Sequence, residues 1–94
     1  MNINSINAIG DALAVIGTLN PDEPSDRLVL FNITRRIGEH IGEHSPDEAR
    51  PTLQRLVMGA ILAGFNRRDV AGTMDSHLTQ GVQAGLAVNQ EEKS

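Results

Sequence analysis

The 94-residue chain contains no cysteine, no tryptophan and no tyrosine. Without cysteine, disulfide staples, thiolate metal sites and cysteine nucleophiles are all excluded. A reducing, cytoplasmic setting is the natural expectation. Phe31 and Phe65 are the only aromatic residues. Stacking platforms for single-stranded nucleic acid need aromatic faces, and this chain offers almost none. Basic charge is also sparse. Eight Lys and Arg against twelve Asp and Glu leave a formal net charge of −4, and the only lysine is Lys93. That balance supplies no overall attraction for nucleic acid, although a local basic patch is compatible with it. Long apolar runs are missing too. The longest nearly apolar stretch, LVMGAILAGF from Leu56 to Phe65, falls far short of the ~20 residues that span a bilayer. The opening MNINSINAIG has no basic segment ahead of an apolar one, so neither a secretory signal nor a membrane partner is expected.

What is present is helical periodicity. No run alternates apolar and polar residues as a half-buried strand would. Ser5 is a candidate N-cap for Ile6, Ile9, Leu13 and Ile16, whose spacing predicts an amphipathic helix over about 6–19. The prolines of NPDEP (20–24) make a connecting loop, and Glu23 or Ser25 can cap a second helix over about 26–44. SPDE (45–48) has the order of a capping box, while Pro51 should kink or restart the helix near Arg50. A third helix is expected over about 51–63, ended by Gly64 in a left-handed conformation. Asn66 then caps a fourth helix with Asp69 in its first turn, and Phe65 and Val70 are placed to form a hydrophobic staple. That last helix, about 67–88, carries Val70, Met74, Leu78, Val82 and Leu86. A spacing of four drifts around a straight helix, which fits either one wrapping helix or a break near 75. The fold expected is all-α: one domain over residues 1–94, a bundle of about four helices with a frayed tail at 89–94.

The second helix contains a four-residue unit written twice, IGEHIGEH at 37–44. Ile37 and Ile41 share a line with Leu30 and Ile33, while Gly38 and Gly42 lie on the side of Phe31. Glycine inside a helix costs ~1 kcal/mol relative to alanine, so two of them imply close packing. His40 and His44 have the i, i+4 spacing of a chelating pair but lack a third ligand and the HExxH order. They read instead as side chains at a helix C-terminus that shield a core edge. No metal or cofactor is expected.

No nucleophile elbow, phosphate-binding loop or dinucleotide fingerprint is present. The serines look like caps and the carboxylates like solvated charge at helix ends. No catalytic residues and no enzymatic activity are therefore expected. The reading is a small binding module acting as a homo-oligomer, an adaptor or inhibitor for a protein partner. Its interface is expected on Phe31, Gly38, Gly42, Leu56, Met58, Leu62 and Phe65.

Two resemblances supply alternatives. In LVMGAILAGFNRRDVAGTMD (56–75), Ala60, Gly64 and Val70 follow the spacing A-x3-G-x5-V, which resembles helix-turn-helix DNA-binding proteins. The resemblance implies a recognition helix opening with Asn66, Arg67 and Arg68 against duplex DNA. Gly59 and Thr73 stand where that family has larger apolar residues, and a recognition helix should end near Asp75–Ser76. FNITRRIGEHIG and SHLTQG resemble parts of small phage helical-hairpin proteins that sequester cyclic nucleotides between subunits. That likeness implies a nucleotide ligand held by Arg35 and Arg36, which otherwise only pair with Glu39.

Overall fold

A computed structural model describes the backbone of residues 3–93 and the side chains of residues 6–90. Four α-helices follow one another with no strand among the described residues: α1 (Ile3–Ile16), α2 (Pro24–His44), α3 (Ala49–Leu62) and α4 (Arg67–Lys93). The all-α bundle is as expected from the periodicity, and its boundaries differ in instructive places. Helix α1 begins at Ile3, so Ser5 lies within the helix and not ahead of it. It also ends at Ile16, because Gly17 and Thr18 turn the chain toward the proline loop. In that loop the Asn20 N–H donates to Asp26 Oδ2 at 2.8 Å, tying the turn to the start of α2. Pro24 opens α2 at a position where its missing N–H has no helical partner to lose.

SPDE does not form a capping box. Ser45 makes no side-chain cap bond, and Pro46–Glu48 close into a single 3-10 turn before α3 starts at Ala49. The Glu48 N–H donates to the Ser45 carbonyl at 2.9 Å. Of the two outcomes expected near Arg50, a kink or a restart, the chain takes the restart, and Pro51 falls in the first turn of α3, where a missing donor is tolerated. The exit of α3 is a Schellman motif built as glycine permits. Gly64 has φ 108°, the Gly64 N–H donates to Ile61 O, and the Phe65 N–H donates to Ala60 O, both at 3.0 Å. Asn66 Oδ1 accepts the Arg68 N–H at 3.0 Å. The same local bond recurs at the other inter-helix loop, where Asn20 Oδ1 accepts the Asp22 N–H at 3.0 Å.

Helix order in space follows from which residues meet. Along α2 and α4, Phe31 stacks on His77, Gly38 lies on Leu78 and Gly81, Gly42 lies on Val82, and Asn89 Nδ2 donates to Glu43 O at 3.0 Å. Both numbers rise together, so α2 and α4 run parallel. Along α1 and α3, Ile6 neighbours Pro51, Leu13 neighbours Gly59, and Gly17 neighbours Leu62 and Ala63. These two helices are parallel as well. The chain is thus two helical hairpins laid side by side, α1–α2 against α3–α4, with like helices adjacent. Between them a core forms from Ile9 and Ile16, Leu30 and Ile41, Leu56 and Ala60, and Phe65, Val70, Met74 and Leu78. Each large aliphatic side chain so buried contributes ~1.5–3 kcal/mol. Thr34 is also fully buried, and its hydroxyl donates to Leu30 O at 2.8 Å, which removes the cost of an unpaired polar group.

The pairing of α2 with α4 dominates the fold. Gly38 and Gly42 on one helix face Gly81 and Gly85 on the other, two G-x3-G units in contact. A methyl group at Gly38 would sit 2.5 Å from Leu78 O, and methyl groups at Gly42, Gly81 and Gly85 would overlap the carbonyls of Val82, Arg35 and Glu39. Backbone therefore packs directly on backbone, the geometry in which Cα–H groups meet carbonyl oxygens across a helix pair. Gly72, further up α4, has nothing within 4 Å of a methyl position. Gly42→Ala is accordingly expected to force the helices apart at a cost of roughly 3 kcal/mol or more. Gly72→Ala should stabilise by about 0.5–1 kcal/mol, raising the melting temperature by a few degrees. Thermal unfolding followed by circular dichroism checks both; an unchanged Gly42→Ala melt would refute the backbone contact.

Candidate interaction face

Helix α3 has two apolar sides. Thr52, Leu56, Val57 and Ala60 point into the bundle, while Pro51, Arg55, Met58 and Leu62, spaced by four, three and four, line the opposite side. Leu62 is 81% exposed and Met58 50%. An amphipathic surface helix spends its outward face on polar groups; this one offers a single charge there, Arg55. The neighbouring edge of α1 extends the same surface. Asp11 is the only charged residue in that helix, and Ile6, at this edge, is exposed. Leu13 leans into the notch left by Gly59, where a methyl group would meet Leu13 Cδ2 at 2.7 Å. Above this notch lies an open groove of about 700 Å³ lined by Leu13, Gly17, Gly59, Met58, Leu62 and Ala63, with Pro51 and the polar Gln54 and Arg55 completing it. A second hollow, about 500 Å³, continues it at the other end between Ile6, Glu48, Pro51 and Arg55.

The residues expected at an interface are distributed differently by the fold. Gly38 and Gly42 are buried against α4, and Leu56 and Phe65 belong to the core, so none of these four faces outward. Their small or apolar character serves packing within the chain. Phe31 is half-buried and stacks parallel on His77, with ring centroids 5.5 Å apart. Met58 and Leu62 remain at the surface. Beside them lie Ile6, Leu13 and Gly17 of α1, positions the expectation did not include. The near absence of charge between Ile3 and Asn20 was the signal that could have marked them.

Arg35 and Arg36 are exposed on α2 beside Val29, Asn32 and Ile33, and Arg35 Nε lies 3.9 Å from Glu39 Oε1. A pair of this kind on the surface contributes little. Asn66, Arg67 and Arg68 are exposed at the start of α4, with the Asn66 side chain engaged as a cap. Helix α4 runs unbroken from Arg67 to Lys93. Leu53 and Val57 border the same hollow as Ala71 and Asp75, so α3 lies beside the first part of α4. That continuous helix is the bundle outcome of the two that the sequence left open.

His40 and His44 tilt toward each other with centroids 4.6 Å apart. Among the described residues no group of three or more His, Asp or Glu is arranged to hold a metal ion. None of the described helices is long and apolar enough to cross a membrane. No protein-family description, no curated protein and no solved structure matches the chain.

Burial holds the His40 pKa below its ordinary value of 6.5, aided by the His44 charge and opposed by Glu43. Proton binding by His40 therefore favours the unfolded chain. Its contribution to stability is full above pH 6.5 and is lost as pH falls from there through the folded-state value. His40→Gln should reduce the difference in denaturation midpoint between pH 7.5 and pH 5. An identical pH dependence in wild type and variant would count against this assignment.

Proposed function

We propose that this protein is a non-enzymatic interaction module whose working surface is the outer face of α3 together with the adjoining edge of α1. The observation that carries the reading is Leu62, 81% exposed on a helix side that holds three apolar residues and one charge. Solvent-facing apolar residues are ordinary when scattered singly; a contiguous set over a groove marks a contact surface. A protein partner suits such a surface better than a polar ligand does. A cytoplasmic setting belongs to the same reading, since a cysteine-free chain gains nothing from an oxidising compartment.

Duplex DNA at Asn66, Arg67 and Arg68 and a nucleotide at Arg35 and Arg36 are the competing occupants. Both are visible directly, because a chain without Trp or Tyr is nearly transparent at 280 nm and any 260 nm absorbance reports nucleic acid or nucleotide.

The test places a photo-crosslinking amino acid at position 62 or, as control, at the exposed Gln83 of α4 and illuminates cells producing the chain. Discrete protein adducts are expected from position 62 and none from 83. Adducts from 83 alone would overturn the choice of face. Co-elution with mixed-sequence duplex at low salt, abolished by Arg67→Ala plus Arg68→Ala, would transfer the function to the start of α4.

A further inference from the structure

Apart from the α3 face, we infer that the last turn of α2 holds a divalent transition-metal ion, chelated by one nitrogen each of His40 and His44, with water in its remaining positions. The class of ion is the imidazole-binding end of the first row, with Cu²⁺ ahead of Ni²⁺ and Zn²⁺.

The first argument is geometry. Residues four apart lie one above the other on a helix face, the placement by which two histidines of one helix share a metal. Spacing in sequence does not set how far apart the rings stand. In the structure their centroids are 4.6 Å apart and the rings are tilted by 49°. With metal–nitrogen bonds of about 2.0–2.1 Å and ring centres about 1.2 Å behind the nitrogens, two imidazoles at a right angle about one ion have centroids roughly 4.5–4.7 Å apart. A tetrahedral angle would need roughly 5.2–5.4 Å. The observed separation therefore suits the square arrangement that Cu²⁺ and Ni²⁺ take with nitrogen and oxygen donors. The order H-x-x-E-H also occurs on zinc-binding helices, where further protein ligands complete the site. Among the described residues no third His, Asp or Glu joins this pair. The site is thus open, and no hydrolysis is assigned to it.

The second argument is charge. A helix C-terminus carries a partial negative charge that favours a cation over its last turn, and α2 ends at His44. Between Arg36 and Arg50 the chain carries Glu39, Glu43, Asp47 and Glu48, so carboxylates outnumber guanidinium groups around the pair. His44 is exposed and His40 half-buried, which leaves the pair open to solvent on one side. Each ring coordinates through one nitrogen and keeps the other for its hydrogen bonds.

The ion would also act on the fold. His40 and His44 stand on either side of Gly42, whose backbone packs on Val82 of α4. Bridging them fixes the turn that glycine most weakens. An unfolded chain does not hold the two rings at this spacing, so the ion favours the folded state by mass action.

The test titrates the whole chain with Cu²⁺ and follows binding by calorimetry, coordination by electron paramagnetic resonance and stability by thermal unfolding. One ion per chain is expected, with a spectrum of two equatorial imidazole nitrogens and a melting temperature raised by a few degrees. His44→Gln, at an exposed position, should weaken binding on the order of tenfold or more, because a single donor has no chelate to join. His77→Gln should leave the affinity unchanged, since His77 stacks on Phe31 and not on this pair. The wild-type resonance spectrum decides the coordination whatever a variant does to folding. A spectrum of one imidazole nitrogen, wild-type affinity in His44→Gln, or affinity lost through His77→Gln would each overturn the site.

Discussion

The approach of α2 to α4 is the constraint on which the rest of the fold depends. Four glycines remove every side chain from the centre of that contact, so the two backbones meet where most helix pairs are held 8–10 Å apart by their side chains. Helix positions occupied by glycine lose stability locally, and the compensation is contact made along much of two long helices. Once these are locked in parallel, α1 and α3 have only the flanks left to cover. Each does so with one side, and each keeps an opposite side free. The short helices are also the less charged ones, and they carry Ile6, Val15, Met58 and Leu62 at the surface, while α2 exposes Leu28 and Val29 near its start and α4 exposes Val88.

Much of this was legible in the chain. The end of α3 is specified by local chemistry alone, since Gly64, Phe65 and Asn66 each satisfy a particular backbone group within a few residues. Likewise Gly38 and Gly42 announce a close approach by their cost. What they cannot announce is the surface they approach. A glycine edge fits another protomer as well as another helix of the same chain, and sequence periodicity carries no distance information between segments. The partner glycines, Gly81 and Gly85, sit four apart in α4, and recognising the match requires knowing that α2 and α4 lie parallel. The same gap explains the interface residues. Leu56 and Phe65 are as apolar as Met58 and Leu62, and only the position of the bundle axis decides which pair is inside.

Two prolines decide where α3 begins. The capping-box pattern at SPDE placed a helix start at Pro46, while Pro51 implied a kink or a restart near Arg50, and the restart is what forms. A 3-10 turn absorbs the first proline and moves the helix start to Ala49, so that Pro51 falls in a turn where no donor is missed. Similarly, the drift of apolar residues around α4 resolves without a break. The helix passes first alongside α3, near Ala71 and Asp75, and later over the glycines of α2, so its buried side shifts as its neighbour changes.

Parallel pairing of α2 and α4 has a consequence for how the chain reaches its fold. Antiparallel neighbours close through a short turn, but these two must be joined by a helix that travels back between them, so the tightest contact in the molecule links residues nearly half the chain apart. Loop-closure entropy is therefore spent before the best contact is gained. During synthesis the glycine edge of α2 emerges before α4 and has nothing to rest on until that helix follows. Neither hairpin holds both glycine edges, so the closest contact forms only where the two halves meet.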